Sequence, residues 1–418
     1  MNTEIKEKIE QCLNCKTKPC TQGCPLGNNI PIFIKNAKEG KYKEAYDILS
    51  ETTVLPAICG RICPHYKQCM GKCIRGIKGQ PVNIGDIEKY IGDISIKEKY
   101  NLPKCEQERK EKIAIVGSGP AGLTCAAFLR RKGFKVTIYE KYNELGGILR
   151  NGIPEFRLDK VILDNTIQKI LDLGIEVKYS MTLGENLNIE QLDKEYDAIF
   201  LAIGANITRK MGIKGEELEG VYGGNELLES RNHPNYKGKK VAVIGGGNVA
   251  IDCARTVKRL GAEIVNIIYR REEEQMPAEK KEIEKAKKEG IEFLFKNNIV
   301  KIIGNKKVEK IECIKTELMQ KEGEIRKSPV EIKDSNYIID MDYVIMALGS
   351  KTDIQVLNKL GIELTQDKYV KVNNKNQTSN TKIFAGGDIK GEKSTVAWAA
   401  RSGRDTAENI ESFLNNNI

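Results

Sequence analysis

The chain has no apolar run of the roughly 18 residues that a membrane-spanning helix requires, which excludes a transmembrane helix. It also opens on a polar stretch, Met1-Asn-Thr-Glu-Ile-Lys6, where an exported protein would begin its apolar signal core. Those two absences predict a soluble, cytoplasmic protein whose thiols stay reduced. Aromatic residues are scarce, at 6%, with a single Trp, and no basic stripe carries interleaved aromatics. Nucleic-acid binding is therefore not expected, even with a formal net charge of +10. In segments such as Lys280-Lys-Glu-Ile-Glu-Lys285, Lys alternates with Glu as on a solvated helix face.

Cysteine is concentrated rather than scarce. The first 73 residues hold eight of the 12 cysteines, as Cys12, Cys15, Cys20, Cys24 and Cys59, Cys63, Cys69, Cys73. Thiolates are the ligands that iron-sulfur clusters require, and short loops bring several together at little entropic cost. Two clusters are the natural count. Disulfides would need an oxidising compartment, and of the paired knuckles usual for zinc only Cys12/Cys15 has the form.

Residues 1 to about 104 lack any strand-helix alternation and read as helical, with apolar residues at helical spacing over 30–37 and 42–49. The charged stretch 104–112 reads as a linker, and an α/β pattern follows. Strand 113–116 leads into Gly117-Ser-Gly119-Pro120-Ala121-Gly122, a helix to Lys132 and a second strand, 135–140. The arrangement recurs as strand 240–244, loop Gly245-Gly-Gly247-Asn248-Val249-Ala250, a helix to Leu260 and strand 264–269. In such loops the first Gly permits the turn, the second lets a pyrophosphate approach and the third lets helix and strand pack.

The residues ending each second strand differ. Glu140 is placed to accept from ribose hydroxyls and would repel a 2′-phosphate, so the first unit suits FAD. Arg270 and Arg271 stand at the matching place in the second unit, and guanidinium pairs with phosphate in bidentate fashion, so that unit suits NADPH over NADH. The alternative is ordinary surface charge neutralised by Glu272 to Glu274. Near the C-terminus, strand and turn 383–388 place Gly387 and Asp388 where a flavin ribityl hydroxyl can be bound, and a helix from Thr395 to Phe413 would aim its N-terminus at the ring. Strands ending at 202–204 and 347–349 mark passages between nested domains.

Leu55-Pro-Ala-Ile-Cys-Gly-Arg-Ile-Cys-Pro64, Gly146-Gly147-Ile-Leu-Arg-Asn-Gly-Ile-Pro-Glu-Phe-Arg157, Gly245-Gly-Gly-Asn-Val-Ala-Ile-Asp252 and Met276-Pro-Ala278 carry a resemblance over nearly the whole chain. It is to the small, electron-input subunit family of bacterial glutamate synthase. The N-terminal part of dihydropyrimidine dehydrogenase and the large subunit of NADH-dependent ferredoxin:NADP oxidoreductase are relatives of that family. The resemblance implies an α/β fold: a helical iron-sulfur domain (1–104), then two nested Rossmann-like domains, FAD-binding (111–210 and 346–418) and NADPH-binding (211–345). It implies cofactor contacts from Gly147 and Asp252 and two 4Fe-4S clusters. One is held by Cys12, Cys15, Cys20 and Cys73, the other by Cys24, Cys63, Cys69 and Glu88, with Cys59 as the alternative fourth ligand.

The implied reaction passes a hydride from NADPH to FAD and then single electrons through the clusters to a partner, with no obligatory acid, base or nucleophile. The expected partner is a larger catalytic subunit: that of glutamate synthase, a ferredoxin-reductase-like subunit of a transhydrogenase or bifurcating complex, or a pyrimidine or sulfur dehydrogenase. A dithiol reductase would need a C-x-x-C motif in the NADPH unit, which holds only Cys253 and Cys313. A scaffold with decayed nucleotide sites is opposed by the intact glycines.

Overall fold

The computed structural model describes residues 3–230, 232–320, 327–392 and 394–416. It divides into two units, one built from 1–205 with 352–418 and the other from 206–351.

The cysteine-rich segment of the first unit contains the helices Thr3–Glu10, Pro19–Gly23, Ile30–Lys38, Tyr42–Ser50, Pro56–Ile62 and Ile84–Lys97. Three of them carry Pro in the first turn, where its missing N–H and fixed φ cost nothing. Asn83 starts the last by accepting from the Asp86 N–H at 3.2 Å. Next comes a parallel sheet in the order Ile383–Ala385, Ala198–Leu201, Lys112–Val116, Lys135–Tyr139, Glu176–Lys178. Its central strand is buried over Ile113–Val116, and an apolar run of that kind suits a sheet covered on both faces. The chain leaves this sheet after Ala198–Leu201 and later returns to add Ile383–Ala385 at its edge, so the second unit is an insertion.

One core joins the cysteine-rich helices to the nucleotide fold, from Ile9, Phe33 and Ile58 to Leu123, Phe200 and Leu414, and a second fills the other face of the sheet around Val116, Ile199 and Leu357. Helix Val396–Asn415 packs on helix Pro120–Arg130 so closely that a Cβ on Gly403 would lie 2.1 Å from the Ala121 carbonyl oxygen. From the same helix, Arg401 donates to the Pro25 carbonyl at 3.1 Å and Arg404 to those of Leu26 at 2.6 Å and Thr52 at 3.3 Å.

The second unit has a parallel sheet in the order Val221–Gly223, Tyr343–Met346, Lys240–Ile244, Ile264–Tyr269, Glu292–Phe295. It also contains an antiparallel sheet of Asn297–Ile303, Lys310–Met319, Ser328–Glu331 and Tyr337–Asp340, which the α/β pattern did not announce. Among the described residues no helix is long and apolar enough to cross a membrane.

Candidate functional site

Two loops far apart in sequence meet at the first cysteine nest. Cys12, Cys15, Cys20 and Cys73 line one cavity, walled by Pro19, Ile30, Ile34, Ile74 and Val82. Asn14 and Lys18 take left-handed backbone conformations (φ 47° and 45°), which fold the first loop tightly enough for its three sulfurs to face inward. Burial, reinforced by neighbouring thiols, pushes the Cys12 thiol up and the Cys20 thiol up to about 11. A cationic cluster would favour the thiolates and drive those protons off.

The second nest lies deeper and forms where two helices touch. A Cβ on Gly60 would sit 2.3 Å from the Lys89 backbone nitrogen. Only a glycine there lets helix Pro56–Ile62, which carries Cys59 and leads into Cys63, lie against helix Ile84–Lys97, which carries Glu88. Cys24 and Cys69 complete the group. Burial pushes Cys24 up to about 12 and Glu88 up to about 8, and each of Cys24, Cys63 and Cys69 feels the Glu88 charge. Cys63 shares a hydrogen bond with Cys59 and is raised by it. The Glu88 carboxylate accepts from Asn28 Nδ2 at 3.2 Å, and the Thr52 hydroxyl donates to Asn28 Oδ1 at 2.7 Å. Cys59 and Glu88 thus stand on facing helices within one nest.

Gln68, beside Cys69, was not anticipated. Its Nε2 donates to Thr395 Oγ1 at 3.5 Å, placing the loop of the second nest against the residue that caps helix Val396–Asn415. Asp388, in the turn before that helix, is half-buried with no hydrogen bond to its carboxylate among the described residues, and burial raises its pKa to about 6.

The first dinucleotide loop gives each glycine a separate reason. Gly117 has φ +99°, and a Cβ on Gly122 would lie 1.9 Å from the Gly117 carbonyl oxygen. A Cβ on Gly119 would meet nothing within 4 Å, leaving the open cradle that a pyrophosphate fills. Gly147 backs onto it, its own Cβ position only 2.8 Å from Gly119 Cα. Pro120 and Ala121 begin the helix whose free N–H groups face that space. Glu140 is buried at the end of its strand, accepts from the Ser118 N–H at 3.0 Å and the Ser118 hydroxyl, and takes the Tyr142 N–H at 3.0 Å. Ser118 was also missed, because its hydroxyl gains a role only once the loop closes on Glu140.

In the second loop a Cβ on Gly245 would meet the Ala347 oxygen at 2.3 Å, whereas Gly247 faces nearly open space, with Pro277 4.0 Å away. Asn248 Oδ1 accepts from the Glu279 N–H at 2.9 Å and Ala278 N–H donates to the Gly246 carbonyl at 3.1 Å, so the Met276-Pro-Ala278 segment braces the loop. Val249 and Ala250 open the helix, and Asp252 is buried on its next turn. Arg270 is exposed, while the Arg271 Nε is buried without a hydrogen-bond partner. Two of the three acids that follow pair elsewhere, Glu273 with Lys287 at 2.6 Å and Glu272 with Lys296 at 3.7 Å, and Glu274 is exposed. Cys253 and Cys313 are buried in separate cores of this unit, unable to form a facing dithiol.

Two parallel-sheet dinucleotide units, one inserted in the other, with cysteine nests on the outer one, define a flavin- and pyridine-nucleotide-linked oxidoreductase that also carries iron-sulfur ligands. Residues 111–403 match pyridine nucleotide-disulphide oxidoreductase, and residues 1–100 match dihydropyrimidine dehydrogenase domain II, 4Fe-4S cluster. The chain belongs to the pyridine nucleotide-disulphide oxidoreductase family, as an NADPH-dependent member with a 4Fe-4S region. The glutamate synthase [NADPH] small chain of Escherichia coli is 35% identical, with 98% of this chain and 92% of that one covered. The NADP(+)-dependent formate dehydrogenase subunit beta of Moorella thermoacetica is 34% identical over 95% of this chain and 60% of its own. Among solved structures, FprA of Mycobacterium tuberculosis in complex with NADPH shares the fold at a TM-score of 0.65 and 20% identity, over 74% of this chain and 85% of that one.

Proposed function

We propose that this chain is the NADPH-oxidising, electron-input subunit of a larger cytoplasmic assembly of the glutamate synthase kind, binding one FAD and two 4Fe-4S clusters. When bound, the flavin accepts a hydride from NADPH and the clusters carry its electrons away singly. The chain's own residues bind and orient. In the FAD region (111–210 and 346–418), Gly117, Gly119, Gly122 and Gly147 make room for the pyrophosphate and Glu140 takes the ribose hydroxyls. Gly387, Asp388 and Thr395 serve the ribityl chain and ring. In the NADPH region (211–345), Gly245, Gly247, Asn248, Val249, Ala250 and Asp252 form the phosphate turn and its first helical turns, and Arg270 and Arg271 hold the 2′-phosphate. In region 1–104, Cys12, Cys15, Cys20 and Cys73 hold one cluster and Cys24, Cys63, Cys69 and Glu88 the other.

The observation that carries this reading is the convergence of four cysteines from two loops on a single cavity, in the same unit as the flavin loop. The Gln68–Thr395 contact, between the neighbour of Cys69 and a residue assigned to the flavin ring, supports the deeper nest as the one whose cluster would lie next to the flavin. The likeness to formate dehydrogenase subunit beta supports a second reading, the same input role for a different catalytic subunit. Protein purified without oxygen should carry one FAD and about eight iron atoms per chain, and NADPH should bleach its flavin. Iron near four, or zinc in its place, refutes the two-cluster path. Affinity capture from the source cell decides between the two partners.

A further inference from the structure

We infer that the mouth of the first cysteine nest is a docking surface for an acidic, one-electron acceptor protein, with Leu13, Ile74 and Ile77 at its centre and Lys16, Lys72 and Lys78 at its rim. The inference rests on the electron-input reading and names the place where electrons leave and the chemistry of what receives them.

Leu13 is 62% exposed, Ile74 40% and Ile77 78%. Leu13 lies between two ligand cysteines and Ile74 directly after a third, and both line the cavity that holds the four sulfurs. Ile77 closes the short helical turn that Ile74 opens. Arg75 donates to the Gln11 carbonyl at 3.1 Å and ties the two loops into one surface. Single exposed apolar side chains are ordinary, but a group of them over a prospective redox centre marks an interaction site.

Charge selects the occupant. Segments 11–20 and 64–80 contain Lys16, Lys18, Lys67, Lys72, Arg75 and Lys78 and no Asp or Glu. Lys16, Lys72 and Lys78 are exposed and enter no ion pair among the described residues. Glu10, which precedes the first segment, is paired with Lys38 at 2.5 Å, and Asp86, which follows the second, with Lys8 at 2.7 Å. On helix Lys280–Lys288, by contrast, Lys285 pairs with Glu282 and Lys287 with Glu273. Uncompensated positive charge around an apolar centre complements a partner that rings its own redox centre with carboxylates. Each NADPH releases two electrons and one proton, so the occupant must take up two single electrons for every hydride consumed.

The test uses the holoprotein and two one-electron acceptors of opposite charge, an acidic plant-type ferredoxin and basic cytochrome c, with affinity read by isothermal titration. Ferredoxin should bind at about 50 mM salt and weaken steeply towards about 500 mM. The triple variant Lys16→Glu, Lys72→Glu, Lys78→Glu should weaken ferredoxin about tenfold or more at low salt and strengthen cytochrome c. Ile77→Ser should weaken ferredoxin with the salt dependence retained. Iron content and circular dichroism of the variants verify that fold and clusters persist. Ferredoxin affinity indifferent to charge reversal overturns the inference, as does preference for a single-stranded RNA oligonucleotide over ferredoxin. Loss of iron or of NADPH-driven flavin bleaching in the unaltered protein would instead overturn the electron-input reading.

Discussion

Replacing Arg270 and Arg271 with Met should convert a preference for the phosphorylated nucleotide into indifference. The Arg271 Nε is already withdrawn from water and lacks a partner, so an incoming 2′-phosphate gains a charge-assisted contact with little further desolvation. Glu272 and Glu273 do not compete, since Lys296 and Lys287 engage them. A contact of that type contributes about 1.5–3 kcal/mol, which corresponds to a tenfold to hundredfold loss of affinity. Equilibrium binding of 2′,5′-ADP against 5′-AMP isolates that contact, because the two ligands differ only in the 2′-phosphate. The variant should weaken 2′,5′-ADP by that factor and leave 5′-AMP nearly unchanged. Equal weakening of both ligands, or of neither, would show that the arginines are ordinary surface charge.

Gly119→Val should abolish FAD retention while leaving the apoprotein folded, because its side chain enters only the open cradle; Gly122→Val should lower Tm in the absence of flavin, because it strikes the Gly117 carbonyl. Comparing flavin content with melting temperature separates the two, and a folded, flavin-replete Gly119→Val protein would refute the cradle. Cys69→Ala should remove one cluster yet leave NADPH reduction of the flavin largely intact, and electron paramagnetic resonance of Glu88→Gln and Cys59→Ala should show an altered signal only in the variant that has lost a true ligand. Lys169 is held down to about 8 by burial, from an ordinary 10.5, although its ammonium donates to Ser95 Oγ at 2.9 Å and lies 4.1 Å from the centre of the Tyr46 ring. Between those two values the unfolded chain binds the extra proton, so this lysine makes stability rise with pH across that window, by about 1–2 kcal/mol after solvent screening. Denaturation of Lys169→Met should lack that increment, and identical pH slopes in the two proteins would refute it.

Strands Lys240–Ile244 and Ile264–Tyr269 were legible to the residue, because parallel strands covered on both faces appear as unbroken apolar runs between a glycine loop and a charged turn. The antiparallel sheet of the second unit escaped the same reading, because Lys310–Met319 buries Ile311, Cys313, Ile314 and Thr316, and the adjacent pair Cys313 and Ile314 interrupts a two-residue period. Its partner strand Asn297–Ile303 changes register between Ile299 and Lys301, and that bulge breaks the alternation. The cysteine spacing announced the chemistry of the nests but not their depth. Depth depends on the close approach at Gly60 that brings Glu88 to Cys59 and Cys63, and contacts between distant segments leave no periodic trace. Gln68 and Ser118 were silent for a related reason, since a lone amide or hydroxyl acquires meaning only from the partner that folding supplies.

Helix Val396–Asn415 has a consequence for how the protein is made. Its Arg401 grips the loop just after Cys24 from 376 positions further along the chain, and Arg404 closes on Leu26 and Thr52 nearby. During synthesis the cysteine-bearing helices emerge first but lack this clamp, and the core they share with the flavin fold is incomplete, until nearly the whole chain has been translated. Iron delivered early therefore meets an unfinished nest. On the proposed reading, a cluster would be held firmly only after the last helix has closed on the nest.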